Sequence, residues 1–124
     1  MRSLLLALLI AVATPVWAKW VRVGESNKFF LYQDSATIRK NGDFRTIWVL
    51  HDLKEKDSDG EKSITLKHEY DCRGGRFRLL ASGYYSGKMA KGKILSRSDT
   101  PNAEWINIPR RSGHWGTFKF VCVK

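Results

Sequence analysis

The sequence has few of the residues and motifs that equip small enzymes or metal proteins. It contains two cysteines and three histidines in 124 residues, and the histidines, His51, His68 and His114, share no metal-ligand spacing. GxSxG, phosphate-loop and HExxH motifs are all missing, although they are common signatures of hydrolases, nucleotide-binding proteins and zinc proteases. We therefore expect a non-enzymatic protein with no catalytic residue, no cofactor and no metal site.

One acidic segment resembles the start of a calcium loop but does not complete it. With Glu55 in the first position, Asp57, Asp59 and Gly60 follow at suitable places, yet the twelfth position is Leu66. A bidentate glutamate is required there. The segment is therefore predicted to be a solvated turn.

Long apolar stretches are also scarce, and the longest lies at the N-terminus. Residues 4–13 are apolar throughout, follow Arg2 and precede Pro15. At about half of the roughly 20 residues that cross a bilayer as a helix, this stretch is too short for an anchor. Val16-Trp17-Ala18 fits the small-x-small cleavage pattern, so residues 1–18 are predicted to be a signal peptide that is cleaved after Ala18.

Export determines what we expect of the mature chain. Residues 19–124 are predicted to form a single domain without a transmembrane anchor, located in the periplasm or secreted to the cell surface. No cysteine lies near the cleavage point, so no N-terminal lipid is expected.

The two cysteines, Cys72 and Cys122, both lie in the exported part. Two cysteines in an oxidising compartment usually pair, and closing a loop of this length should stabilise the fold by about 4 kcal/mol. Two free buried thiols remain the alternative. A metal site is disfavoured because neither cysteine has a second ligand at a suitable spacing.

Positive charge is the strongest compositional feature. The chain has 22 Lys and Arg against 12 Asp and Glu, a formal charge of +10 that becomes +9 when Arg2 leaves with the signal peptide. Such a charge favours acidic partners, and we expect an acidic protein or glycan. Export argues against nucleic acid. The alternative is a charge that serves only solubility and a general attraction to an anionic envelope.

Turn signals divide the mature chain into short segments of alternating hydrophobicity. Four strands are predicted in the first half, at residues 20–23, 28–32, 36–39 and 44–53. Asp34-Ser35 is predicted to open a turn, and Asn41-Gly42 is a strong hairpin signal. Residues 44–53 are apolar on both faces, which predicts a central strand covered on both sides.

The second half contains the clearest hairpin, residues 63–72 and 76–85 joined at Gly74-Gly75. His68, Tyr70 and Cys72 fall on the apolar face of the first strand, so Cys72 is in phase with the buried side. In the second strand the predicted inward residues are Phe77, Leu79, Ala81 and Tyr85.

Beyond this hairpin the pattern weakens. Short strands are predicted at 92–95 and 105–108, with a loop at 98–103. Residues 112–124 fit both a helix and a strand, and their periodicity alone does not decide between the two.

Basic residues flank the hairpin and are the predicted binding site. They are Arg73, Arg76, Arg78, Lys88, Lys91 and Lys93. Guanidinium groups in a row suit carboxylate or sulfate ligands. The alternative is an ordinary solvated face.

Ordered motifs along nearly the whole mature chain resemble the surface-adhesin protein E family of Gram-negative bacteria. They are Trp20-Val21-Arg22-Val23-Gly24, Tyr32-x-Asp34, Ile38, Trp48-x-Leu50, Glu69-Tyr70-Asp71-Cys72, Tyr84-Tyr85-Ser86-Gly87 and Val121-Cys122. The resemblance implies an α+β, mostly β fold. It consists of an antiparallel meander sheet of about six strands with a short C-terminal helix, tethered to the concave face by a disulfide between Cys72 and Cys122. It thus implies a helix at 112–124.

The resemblance also implies an adhesin-like binding protein that can dimerise. This chain departs from the family pattern because it has no lipid-acceptor cysteine. In addition, Asp57, Asp59 and Glu61 replace a basic stretch upstream of the first cysteine. We therefore expect an exported, non-enzymatic binding module of the Gram-negative envelope that binds host or acidic ligands. The alternative is a periplasmic interaction or inhibitor protein with an envelope partner.

Overall fold

The structure is a computed structural model that describes residues 18–123. The predicted signal peptide, apart from Ala18, lies outside the described residues, as does Lys124.

Six antiparallel strands form a meander in which each strand pairs with the next: β1 (Val21–Glu25), β2 (Phe29–Asn41), β3 (Phe44–Leu53), β4 (Ser63–Asp71), β5 (Arg76–Tyr85) and β6 (Ile94–Asp99). A two-residue strand, β7 (Ile106–Asn107), pairs with the end of β5 that β6 does not reach. The helix α1 (Gly113–Val123) covers one face of the sheet, here called the inner face. A 3-10 turn (Lys88–Ala90) lies on the opposite, outer face.

The hydrophobic core lies between α1 and the inner face. Ile47 and Val121 are fully buried, and Val49, Tyr70 and Phe77 pack around them. Each such side chain contributes roughly 1.5–3 kcal/mol through burial of apolar surface. The predicted meander and the predicted C-terminal helix are both confirmed.

The predicted disulfide joins the end of β4 to α1. Cys72 and Cys122 are bonded, with their Cα atoms 5.6 Å apart. Gly113 and Gly116 disfavour a helix in isolation, and an 11-residue helix is marginal in water. The helix therefore depends on its packing against the sheet and on this covalent link.

The structure corrects the prediction for residues 28–39. The expected turn at Asp34-Ser35 is absent, and β2 runs through it with a bulge between Asp34 and Arg39. At the bulge, the Thr37 hydroxyl takes the place of a backbone carbonyl in the hydrogen bonding between β2 and β3. Its Oγ1 accepts a hydrogen bond from the backbone N–H of Trp48 at 3.0 Å. The same hydroxyl donates to the Asp34 carbonyl at 2.6 Å. The Thr37 side chain therefore allows β2 to bend and continue as one strand, where two separate strands were expected.

A second bulge changes which residues of β5 face the core. His68 pairs with Leu79 and Lys67 pairs with Ala81, so Leu80 is an extra residue in β5. An extra residue reverses the facing of those beyond it. Phe77 and Leu79 face inward as predicted, whereas Ala81 and Tyr85 lie on the outer face.

The last strands also differ from the expectation. β6 extends through Asp99 into the predicted loop, and all six of its residues are exposed. Because neither face of β6 is buried, its sequence need not alternate. The predicted strand at 105–108 is reduced to Ile106–Asn107.

Candidate functional site

The structure divides the six predicted basic residues into two groups. Arg73, Arg76 and Arg78 lie at the β4–β5 turn, while the three lysines follow the other end of β5. At about 3.3 Å per residue, the ten residues of β5 separate the two groups by roughly 30 Å. One small ligand therefore does not reach both.

Two of the arginines are already engaged by carboxylates. Arg76 Nε donates to Asp71 Oδ2 at 2.8 Å, and Arg78 lies 2.8 Å from Glu69 Oε1. Both guanidinium groups also lie over the ring of Trp105, at 4.7 and 4.3 Å from its centroid. Cations held in this way are less available to a ligand.

Asp71 is fixed by further contacts. Burial alone would raise the pKa of its carboxyl. The hydrogen bonds from the Gly74 N–H, the Arg76 side chain and the Arg73 N–H outweigh burial and lower the pKa. Arg73 itself is 85% exposed, with only a 3.6 Å contact to Asp43.

A groove of about 920 Å³ runs across the outer face of the sheet. Cross-strand pairing places five of its residues in one row over β2 to β6: Asp34, Trp48, Lys67, Ala81 and Asp99. The next row brings together Leu50, Thr65, Gly83 and Arg97. We call this surface the outer-face groove.

Small residues keep the floor of the outer-face groove low. Ala81 and Gly83 lie between the side chains of β4 and those of β6. A Cβ atom added at Gly83 would lie 3.0 Å from Thr65 Oγ1. A larger side chain at either position would therefore fill the groove.

The loop after β5 forms one end of the groove and is anchored by buried polar groups. Asp52 Oδ1 accepts the N–H of Met89 at 3.0 Å, and Ser63 Oγ accepts the N–H of Ala90 at 2.9 Å. Met89 and Ala90 have φ values of 55° and 59°, a conformation that costs non-glycine residues about 1 kcal/mol or more. These anchors position Lys91, which lines the groove.

The groove offers cations that have no counter-ion. Lys67, Lys91 and Arg97 line it, and none of them forms an ion pair with another residue of the range 18–123. Trp20, Trp48 and Tyr85 supply aromatic surface in the groove.

The two carboxylates of the groove differ in availability. Asp34 is 5% exposed, and its oxygens accept the backbone N–H groups of Lys19 and Ala36, each at 3.1 Å. Asp99 is exposed on β6. The groove is therefore able to bind an acidic group beside an aromatic ring.

Sequence reasoning included Lys91 in the predicted site but missed Lys67 and Arg97. Alternation in β4 places Lys67 on the face opposite His68, and Ala81 and Gly83 are unusually small for a strand. A lysine on the outer face beside these small residues is the sequence feature that could have indicated the groove. No such feature indicates Arg97, because the sequence of β6 does not alternate.

The acidic segment forms the solvated turn expected of it. Asp57, Asp59 and Glu61 bring carboxylate oxygens within 4.8 Å of one another. Asp57 Oδ1 accepts the N–H groups of Asp59 at 3.0 Å and Glu61 at 2.8 Å. These hydrogen bonds within the turn account for the close approach of the three carboxylates.

The three histidines, distant in sequence, line one cavity on the inner face. The rings of His68 and His114 have centroids 4.9 Å apart, and the Tyr70 hydroxyl lies 3.2 Å from His114 Nδ1. Burial, with a smaller effect of the other histidines, lowers the pKa of His51 to about 4 and that of His68 to about 3. Burial also lowers the pKa of His114. All three imidazoles are therefore neutral at pH 7.

Comparison with known proteins gives a family and a shared fold. A family model described as surface-adhesin protein E matches residues 20–123. A structure of Haemophilus influenzae protein E aligns with a TM-score of 0.61 at 13% identity, covering 92% of this chain and 91% of that one. A second crystal form gives 0.62 at 13% identity over 94% and 97%. Protein E from a non-typeable strain gives 0.60 at 12% identity over 92% and 82%. Among curated protein sequences, no match to this chain was found.

Proposed function

The chain belongs to the surface-adhesin protein E family, and from this premise we propose that it is an exported, non-enzymatic binding module. Its ligand is an extended acidic chain, either a protein segment or a glycan, bound in the outer-face groove. The observation that carries the proposal is the set of three unpaired cations, Lys67, Lys91 and Arg97, beside the half-buried aromatic side chains of that groove.

The contrast with the arginine group supports this choice of site. Binding at Arg76 or Arg78 would compete with ion pairs of 2.8 Å to Asp71 and Glu69. A ligand of Lys67, Lys91 and Arg97 displaces no such carboxylate within residues 18–123. Because Lys91 and Arg97 are exposed, each new ion pair with the ligand is worth about 0.2–1 kcal/mol. A role for Arg73, Arg76, Arg78, Lys88 and Lys93 stays a prediction.

We place the protein in the periplasm or at the cell surface. The family suggests a surface or secreted location, and the basic composition suits an anionic envelope. No helix within residues 18–123 has the length and apolar character needed to cross a membrane. The dimer that the family resemblance implies also stays a prediction.

The groove is tested by removing its three cations together. The variant Lys67→Gln/Lys91→Gln/Arg97→Gln should bind a heparin-derived oligosaccharide or an oligoglutamate peptide about tenfold more weakly. This estimate takes three solvent-accessible ion pairs as lost, at about 0.5 kcal/mol each. Calorimetric titration of both ligands over a range of salt concentrations measures the effect and shows which acidic chain is preferred.

A matched control keeps the same net charge. Lys28→Gln/Lys56→Gln/Arg111→Gln removes three exposed cations outside the groove. It should reduce affinity by no more than about threefold, since it weakens only the general attraction. Equal losses in the two variants would show that net charge, and not the groove, provides the binding.

The predicted cleavage after Ala18 would have a structural consequence at Asp34. The backbone nitrogen of Lys19 donates to Asp34 Oδ2 at 3.1 Å, and within residues 18–123 this buried carboxylate has no cationic partner. Cleavage would convert that N–H into an ammonium group and complete an ion pair. Protein beginning at Lys19 should therefore be about 1–3 kcal/mol more stable than the same protein with its N-terminus acetylated.

Urea unfolding of the two forms measures this difference. In an Asp34→Asn background the difference should vanish, because no carboxylate remains to pair with the amine. Equal stability of the acetylated and free forms with Asp34 intact would contradict the ion pair.

A further inference from the structure

A cavity of about 520 Å³ lies between α1 and the inner face of the sheet, beside β1. Its volume is within the range of small-molecule sites, about 300–1,000 Å³. Apolar and aromatic side chains form much of its wall: Val23, Phe29, Leu31, Val49, Tyr70 and Phe120. Phe29 and His51 stack with centroids 4.0 Å apart and planes inclined by 8°, which gives one wall a flat surface.

The charges around the cavity favour an uncharged ligand. No Lys or Arg is among the described residues that line it. Its one acidic residue, Glu25, is exposed and pairs with Lys54 at 2.6 Å. The lining histidines are neutral at pH 7 because burial lowers their pKa values. An ionised ligand would lose its hydration and gain no counter-charge.

A polar side chain in this wall has no hydrogen-bond partner among the described residues. Gln33 is 7% exposed and lines the cavity, and its carboxamide makes no hydrogen bond within residues 18–123 but is not sealed from solvent. A carboxamide offers both donors and an acceptor, and these remain available to a ligand in the cavity. His68, in the same wall, also has a buried nitrogen, Nδ1, without a partner among the described residues.

We propose that this cavity binds an uncharged heteroaromatic molecule of one or two rings, and that the Gln33 carboxamide recognises its edge. That edge presents a hydrogen-bond donor beside an acceptor, so it forms two hydrogen bonds with the carboxamide. Glutamine recognises a donor–acceptor edge of this kind on adenine. The flat aromatic wall accommodates the rings, and the polar edge satisfies Gln33. This inference is independent of the outer-face groove, which lies on the opposite face.

Two probes of similar shape test the donor–acceptor edge. 2-Quinolone carries a lactam N–H beside a carbonyl, whereas quinoline lacks that pair. 2-Quinolone should bind the mature protein at least tenfold more tightly than quinoline, because only it satisfies both groups of Gln33. Gln33 is the only glutamine in the chain. Selective labelling of the glutamine side-chain nitrogen with ¹⁵N therefore gives a single pair of amide N–H signals, which should shift on titration.

Two variants complete the test. Gln33→Leu should weaken 2-quinolone at least tenfold and leave quinoline unchanged, which removes the preference. Ser96→Ala, on exposed β6, should leave both affinities as they are. Equal binding of the two probes, no binding of either, or a preference that survives in Gln33→Leu would overturn the proposal. The comparison of probes on unmodified protein decides the question even if Gln33→Leu fails to fold.

Discussion

Acidification from pH 7 to pH 4.5 should lower the free energy of unfolding by about 5 kcal/mol. His51 and His68 have an ordinary pKa of 6.5, which burial lowers to about 4 and about 3 in the folded protein. Below pH 6.5 the unfolded chain therefore binds two protons that the folded chain excludes. Each proton costs about 1.4 kcal/mol per pH unit, and the loss continues until the pH falls through the folded pKa values.

The histidines and the carboxylates affect stability in different pH ranges. Hydrogen bonds, with Lys54 the main partner, lower the pKa of Glu25, and contacts to Gly74, Arg76 and Arg73 lower that of Asp71. These groups therefore lose their favourable contacts only at more acidic pH. Between pH 6 and 4.5, the slope of stability against pH reports mainly on His51, His68 and His114.

Replacing one histidine gives the measurement. His68→Leu should reduce that slope by about 1.4 kcal/mol per pH unit, the contribution of one proton, as measured by urea unfolding at several pH values. Leu50→Ala is a suitable control, since it removes buried apolar surface on the opposite face of the sheet and should lower stability equally at every pH. A slope that His68→Leu leaves unchanged would show that His68 is not excluded from protonation by folding.

Reduction of the disulfide should lower the free energy of unfolding by about 4 kcal/mol, because the Cys72–Cys122 bond closes a loop with a sequence separation of 50 residues. The loss should appear first in α1. This helix contains Gly113 and Gly116 and has only two buried residues, Thr117 and Val121. Hydrogen exchange of its amides should accelerate before that of β3 and β4.

The double variant Cys72→Ala/Cys122→Ala separates the bond from side effects of the reductant. It should be as unstable as the reduced protein, and adding reductant should change it no further. If reduction of the unmodified protein costs less than about 1 kcal/mol, the disulfide is not a main stabiliser of this fold.

The β4–β5 hairpin could be predicted because its signals are local and agree. Tyr70 and Cys72 alternate with polar residues, Gly74-Gly75 supplies the turn, and Gly75 has the positive φ of 65° that a glycine readily adopts. The phase of Cys72 then predicted a covalent link on the buried side. The helix at 113–123 was different, since its periodicity fitted a strand equally well and only the family resemblance decided it.

The bulges could not be predicted from alternation. At Leu80 one inserted residue changes the facing of Ala81 and Tyr85, yet the sequence continues to alternate on either side of it. In β2, the Thr37 hydroxyl supplies a ladder contact to Trp48 that a pattern of apolar residues does not record. Both bulges help to form the outer-face groove.

The sites depend on register across several strands. Lys67 and Arg97 line one groove because β4, β5 and β6 pair in a particular register, not because the two residues are close in sequence. The ion pair between Arg78 and Glu69 was easier to predict, since the register of the hairpin places the two residues directly opposite each other. The carboxylates of β4, Glu69 and Asp71, lie opposite Arg78 and Arg76 and occupy both guanidinium groups.

The most direct test of acidic-ligand binding in the outer-face groove is an NMR titration that follows the tryptophan indole N–H signals. The chain beginning at Lys19 has four tryptophans. Trp20 and Trp48 line the groove, Trp105 lies under Arg76 and Arg78, and Trp115 is on α1. On adding a heparin-derived oligosaccharide or an oligoglutamate peptide, the indole signals of Trp20 and Trp48 should shift while those of Trp105 and Trp115 stay in place. A shift of Trp105 with Trp48 unmoved would contradict the groove and place the ligand on the arginine group.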